Sequence, residues 1–239
     1  MRAFAAQTRI EMLLTLRRGE SLLVTIVVPA ALLVFFTLVP ALPVSGDPVD
    51  ALLPGVLSVS VMATSMVSLG IATGFERQYA VLKRLGATPL GRLSLIAAKG
   101  MSALVLEVVT AVLLLAIAVL LGWRGRPDLA WFAVSLGLGT AAFAGIGMLL
   151  AGTLRAEANL AGVNGIFIAL LLLGGALVPL ASLPDALRGV AAVLPAAALT
   201  EVFGTAVGQN VDAGSFLTLL VWAAMMPPAA SLAFSWDPR

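Results

Sequence analysis

Six long apolar runs, at about 21–42, 51–74, 90–121, 129–153, 159–181 and 214–235, make lipid the natural solvent for this chain. A helix needs about 20 apolar residues to cross a hydrocarbon core of roughly 30 Å, and each run meets that length. A backbone in lipid must satisfy its own hydrogen bonds, which makes helices of such runs. Of the 239 residues, 61% are hydrophobic and only 11% charged. Soluble domains carry roughly 45–50% and 25%. The predicted fold is an all-α membrane protein, a single transmembrane domain over residues 1–239 with six transmembrane helices. The 90–121 run is longer than a straight crossing, so it tilts or begins in the interface. The first run follows Glu11 and Glu20 and precedes no small-residue cleavage site, so it is read as a retained span.

Basic residues set the orientation. With the N-terminus inside, the cytoplasmic segments hold Arg2, Arg9, Arg17, Arg18, Arg77, Lys83, Arg84, Arg92, Lys99, Arg155 and Arg239. The outside keeps Arg124, Arg126 and Arg188, and eleven against three satisfies the positive-inside rule. Arg124 and Arg126 are the discordant pair, which Asp128 is expected to offset. Arginine outnumbers lysine twelve to two, a bias pointing to GC-rich bacterial coding. The predicted location is the bacterial inner membrane, multi-pass, with both termini cytoplasmic. A net charge of +2 gives no footprint for nucleic acid. The lack of cysteine and histidine excludes disulfides, thiolate chemistry and the commonest metal ligands, and no metal site is expected.

Three segments outside the runs carry structure of their own. Residues 3–18 place Gln7, Glu11, Thr15 and Arg18 on one stripe, with Ile10, Leu13, Leu14 and Leu16 turned mainly elsewhere. That pattern predicts an amphipathic helix lying in the inner interface; the plainer reading is a basic leader that only fixes topology. The 75–92 loop predicts a short helix from Glu76 to Leu85, with Lys83 and Arg84 at its negative end. Gly86 reads as the left-handed residue after the last turn, Thr88 as an N-cap and Pro89 as the first position of the next helix. Tyr79, Leu82 and Leu85 share one face and Arg77 and Arg84 another; a solvated charge run is the plainer alternative. Residues 182–213 predict two apolar helices too short to cross, the first capped at Ser182–Asp185, the second opened at Leu194–Pro195 and closed at Gly208. They read as a re-entrant lid dipping into the outer leaflet, a segment to which Pro179, Pro184 and Pro195 belong.

No catalytic constellation emerges. The nearest string to a phosphate-binding loop, Gly86 to Leu93, lacks the lysine and hydroxyl and contains Pro89. Glu107 is the one ionisable residue deep in an apolar run. A charge at mid-bilayer costs about 2.5–3.5 kcal/mol on insertion scales and usually marks a pathway or a pair. Two readings stand: a carboxylate that favours cationic or polar groups of a solute, or a protonated or hydrogen-bonded packing glutamate. Gly137, Gly139, Gly145, Gly147 and the Ala161–Gly165 stretch are read as letting helices approach closely.

Together these residues resemble the membrane-spanning permease of type-2 ABC exporters, the family of bacterial drug, antibiotic and polysaccharide efflux permeases. The likeness covers essentially the whole chain: the interfacial leader, the Glu76-Arg77 loop running to Leu90, and Lys99 in the third span. Its most specific part is the Leu173-Gly174-Gly175 stretch through Pro179-Leu180, then Leu183-Pro184-Asp185-Ala186-Leu187, then Leu194-Pro195. The chain departs from the pattern at Tyr79-Ala80, where many members have Gly-Thr. The resemblance implies that the 75–92 loop is a coupling helix seated in a groove of a separate ATPase, through Glu76, Arg77, Tyr79, Leu82, Lys83, Arg84, Gly86 and Pro89. It implies two copies of that ABC ATPase, which holds ATP and Mg, a second permease protomer, identical or paralogous, and no cofactor on this chain. It also implies that the second and fifth spans of two protomers line a cavity, which makes Met62, Ser65, Met66, Asn164 and Phe167 candidates for a substrate path beside Glu107. Met and Phe suit an adaptable apolar site; the plainer reading is helix packing and lipid contact. The expected function is ATP-driven efflux of amphipathic drugs or antibiotics. Lipid or polysaccharide export, a proton-coupled secondary transporter using Glu107, and a non-transporting scaffold are the alternatives.

Overall fold

The computed structural model describes residues 2–17, 19–39, 46–88, 90–176, 180, 183–210 and 212–237; residues 2–4, 15–17 and 19–24 are described by backbone alone. Ten helices run through them, with no strand among the described residues: α1 Arg2–Arg17, α2 Gly19–Leu38, α3 Pro48–Gln78, α4 Val81–Gly86, α5 Arg92–Leu120, α6 Leu129–Thr153, α7 Ala156–Leu173, α8 Asp185–Ala191, α9 Pro195–Ala206 and α10 Ala213–Ala233. Five of these, α3, α5, α6, α7 and α10, are long and apolar enough to cross a membrane, and six if the bent pair α8–α9 counts as one span. The expected first span, 21–42, is helical as α2, and its residues 40–42 lie outside the described residues.

Helix starts follow elementary capping. Asp47 accepts from the Val49 N–H (3.0 Å), Asp128 from the Ala130 N–H (2.9 Å) and Asp212 from the Ser215 N–H (2.8 Å). Each carboxylate satisfies an orphan donor at the positive end of α3, α6 or α10. All three caps lie at the end of the bundle opposite α4, called here the far end. Within α3, the Ser58, Ser60 and Thr64 hydroxyls donate back to the Pro54, Leu57 and Ser60 carbonyls at 2.8–2.9 Å. Such back-bonding loosens the helical ladder, and the helix widens into a π-turn over Met62–Ser68. That turn lies backbone to backbone on α6: a Cβ on Gly147 would meet the Met66 carbonyl oxygen at 2.7 Å.

α6 runs through the middle, packed by α3, α5, α7, α9 and α10. The main core gathers Leu53, Leu57, Met62, Met66, Phe143 and Phe203 around it. A smaller core at the α4 end joins Leu82, Leu90, Leu95, Ile96, Met148 and Phe234.

Glu11 of α1 meets Lys99 of α5, and the Ser235 N–H donates to the Gly152 carbonyl (3.2 Å), so both described extremes lie at the α4 end. The chain between them therefore travels the bundle an even number of times. The helices α2, α3, α5, α6, α7 and α10 account for those passages, so α8–α9 leaves and returns to the far end. The pair bends by 78°. The Trp222 indole donates to the Val193 carbonyl at the elbow (3.0 Å), nine residues into α10. At 1.5 Å per residue the elbow lies about 14 Å deep, and α9 returns to the far end, where the Ala206 carbonyl accepts from the Asp128 N–H (2.8 Å). The first short helix begins two residues later than the expected Ser182 cap implies: Pro184 precedes it and Asp185 is its first residue, with Ser182 outside the described residues. Gly208 closes α9 at φ +102°, and Pro195 occupies its first position.

Candidate functional site

The loop at 75–92 is not the single helix expected from Glu76 to Leu85. α3 continues to Gln78, the chain reverses at Tyr79–Ala80 with Ala80 left-handed (φ 58°), and α4 follows. The reason is packing. Thr73, Gly74 and Arg77 are buried against the turn between α6 and α7, which keeps α3 helical through them. Gly86 is the last residue of α4 and is not left-handed. Its missing side chain instead admits Trp236, whose Cδ2 would lie 3.0 Å from a Cβ there. Thr88 does not cap α5 either; its hydroxyl donates back to the Leu85 carbonyl (2.6 Å), and α5 starts after Gly91. Pro89 lies outside the described residues.

The coupling candidates therefore divide. Leu82 is fully buried in the smaller core, while Tyr79 is 71% exposed and stacks on Phe75. Lys83 and Arg84 are exposed, Lys83 pairing with Asp237 of the tail (3.2 Å). Glu76 and Arg77 point inward. Arg77 is 2% exposed, and its Nη2 donates to the Leu154 carbonyl in the α6–α7 turn. Beside it Gln78 donates to Glu157 (2.9 Å) and Asn159 to the Gly70 carbonyl (2.9 Å).

Behind α4 lies a buried ionic cluster. The Lys99 Nζ is 2.7 Å from Glu76 and 2.9 Å from Glu11, and Gln7 donates to Glu11 at 2.7 Å. One ammonium thus ties α1, α3 and α5 together. The polar stripe of α1 faces this cluster, while Ile10, Leu13 and Leu14 are exposed; Thr15 and Arg18 lie outside the described side chains. Gln7, Glu11, Asn159 and Trp236 were not among the sequence candidates. The legible signal was Lys99 itself, since a lysine inside an apolar run requires an acid nearby.

Glu107 occupies a second buried site. It is fully enclosed, and its carboxylate accepts from the Ser65 hydroxyl of the π-turn and the Thr140 hydroxyl of α6. Met62, Ser65 and Met66 are likewise fully buried in the packed core. Asn164, which donates to its own Leu160 carbonyl (2.8 Å), and Phe167 lie partly exposed on α7. The six path candidates are therefore not gathered around one opening within the chain. Pro184 and Pro195 sit at the starts of α8 and α9, and Pro179 lies outside the described residues.

Among the described residues no cluster of acids suits a metal ion. The arrangement ties helices to one another instead of assembling a nucleophile and a base. Five helices, among the described residues, long and apolar enough to cross a bilayer mark a multi-pass membrane protein. The chain belongs to the ABC-2 type transporter family, whose model matches residues 2–207. It is thus the membrane permease component of an ABC transport system, not itself catalytic, and the family implies an ABC ATPase as partner. No individual curated protein matches the chain.

Proposed function

We propose that this chain is the membrane-spanning half of an ATP-driven exporter, with α4 in the cytoplasm receiving the stroke of a separate ATPase. The observation that carries the reading is the double ion pair of Lys99. Force applied at α4 reaches α3 within two residues, and Lys99 passes it to α5 and α1. The exposed Tyr79, Lys83 and Arg84 form the docking face, suited to an acidic groove. Glu76 and Arg77 act behind them as anchors.

The charge distribution supports this orientation. Lys83, Arg84, Arg92 and Arg155 are exposed at the α4 end. At the far end, Arg124 and Arg126 line an open pocket of about 670 Å³ together with Asp47 and Asp50, so acids temper the discordant pair. Asp128, also expected to offset the pair, caps α6. The interfacial role of α1 is supported by its exposed Ile10, Leu13 and Leu14, and the re-entrant role of α8–α9 by its return to the far end.

Two protomers form the working unit in this reading. On α7, Ala161, Gly165 and Ala169 are exposed at four-residue spacing, a surface on which a second helix can pack closely. Asn164 and Phe167 flank it. A largely apolar lining with a single amide suits amphipathic drugs or antibiotics better than a polar polymer. Glu107, sealed inside one protomer, serves as a packing group. Co-purification with the ATPase tests the docking face: Arg84→Glu should sharply reduce recovery of the complex, and equal recovery would remove α4 from that role. Transport in liposomes by the permease alone would remove the ATP-driven reading itself.

A further inference from the structure

Gly137 of α6 and Gly100, the single glycine of α5, differ from the other glycines of α6. A Cβ on Gly137 would meet nothing within 4 Å, and one on Gly100 only the Ala144 Cβ at 3.8 Å and the Thr140 Cγ2 at 4.0 Å. Gly147 is there because backbones touch; these two are not. They floor a groove of about 230 Å³ that runs along α5 from Leu93 to Leu104, with α6 as its base and Pro227 of α10 on its far side. Thr140 turns its hydroxyl to Glu107 and leaves its methyl to the groove, whose lining is almost wholly apolar.

The dimensions select the occupant. Leu93 to Leu104 is twelve residues, and the rise between the first and the last is about 16 Å of helix, close to half of the roughly 30 Å hydrocarbon core. The volume, about 230 Å³, is below the roughly 300–1,000 Å³ of a pocket for a drug-sized molecule. A slot one leaflet deep and narrower than a drug site fits an alkyl chain. At its shallow end Arg92 is exposed, one turn before Ile96 and on the same stripe as Ile96 and Gly100. A guanidinium there is placed for a phosphate.

We propose that this groove holds one acyl chain of a glycerophospholipid from the leaflet at the α4 end, with its phosphate on Arg92. The site requires that α5, α6 and α10 stand in a bilayer, but neither the ATPase partnership nor the cargo. A bound chain would fill the space that the glycines leave empty and support the wall of α6 that carries Thr140.

The test uses the full chain in vesicles of phosphatidylethanolamine and phosphatidylglycerol doped with a phospholipid bearing a diazirine near the end of one chain. Mapping of labelled peptides should place the label at 100–104 and 137–144, in excess over the lipid-facing Leu217 and Val221 of α10. Gly137→Leu, whose side chain enters open space, should bring that excess down to the α10 level. Arg92→Glu, an exposed change, should lower it roughly fivefold, the effect of about one basic residue at an anionic surface. It decides the matter alone if Gly137→Leu does not fold. Labelling no higher than on α10, or unchanged in the variant that folds, would overturn the proposal. So would displacement of the label by excess tetraphenylphosphonium, which would assign the groove to amphipathic cargo. Labelling needs no transport, so its failure is distinct from failure of the exporter reading.

Discussion

Removing the Lys99 ammonium would leave Glu11 and Glu76 facing each other at the edge of an apolar bundle. Breaking a buried pair by deleting one partner typically costs about 3–5 kcal/mol, because the remaining charge loses its counter-ion. Lys99→Met should lower the melting temperature in detergent markedly, and adding Glu11→Gln with Glu76→Gln should recover most of the loss. If the triple variant is no more stable than the single one, the cluster is not an ionic lock. Periodicity made Glu11 and Lys99 visible as polar residues on their helices. It could not tell that the two faces meet, because their pairing spans 88 positions and is set by how α1 lies across α5. Ala80 offers a second case. A left-handed alanine (φ 58°) carries a strain of roughly 1–2 kcal/mol. Ala80→Gly should therefore stabilise the fold by up to about 1 kcal/mol after the added chain entropy, read as a small rise in melting temperature. Glu107→Gln keeps an acceptor for one hydroxyl, and Thr140 also reaches the Leu136 carbonyl (2.7 Å). The fold should survive that change, with cationic cargo transported as before; selective loss of cationic cargo would return Glu107 to the substrate path.

At the scale of elements, α4 is held from two sides. Leu82 enters the smaller core, and the segment after α10 comes back to cover it, with Phe234 buried and Trp236 stacked edge-on against Phe234 at 5.4 Å. Gly86→Val would drive a side chain into the indole, so the tail should lift. The expected readouts are a red-shifted tryptophan emission and faster proteolysis after residue 233, with the spans intact. An unchanged tail would mean that Trp236 does not lock α4. The position of this loop could be read from its charges and its glycine, but its internal break could not. A glycine before a turn can signal either a positive φ or a close neighbour, and the neighbour here is 150 residues away. The same ambiguity separated Gly137, which faces open space, from Gly147, which faces a backbone. The π-turn in α3 was illegible for another reason: it follows from serine and threonine hydroxyls bonding back along the helix while Gly147 presses from α6, and neither alters the apolar period.

For the whole molecule, hydropathy located the long helices and the punctuation located the short bent pair, but composition alone could not say which faces one chain leaves uncovered. α7 and α10 are both largely uncovered within one chain, 22% and 11% of their apolar windows being buried. They differ in what they expose. α7 offers Ala161, Gly165 and Ala169 in line, whereas α10 offers Leu217, Leu220, Val221 and Met225. Small side chains let backbones approach in a membrane, where apolar bulk gains nothing over lipid. The proposed two-fold interface therefore belongs to α7. A two-fold axis brings the same residue of both protomers together, and the chain has no cysteine of its own, so single introduced cysteines report without background. Gly165→Cys, whose Cβ would meet nothing within 4 Å, should form a disulfide-linked dimer in native membranes under mild oxidation. Val221→Cys should stay monomeric, since bridging needs Cα atoms within about 7 Å. A crosslink at Val221 with none along α7 would move the protomer interface to α10, and the substrate path with it.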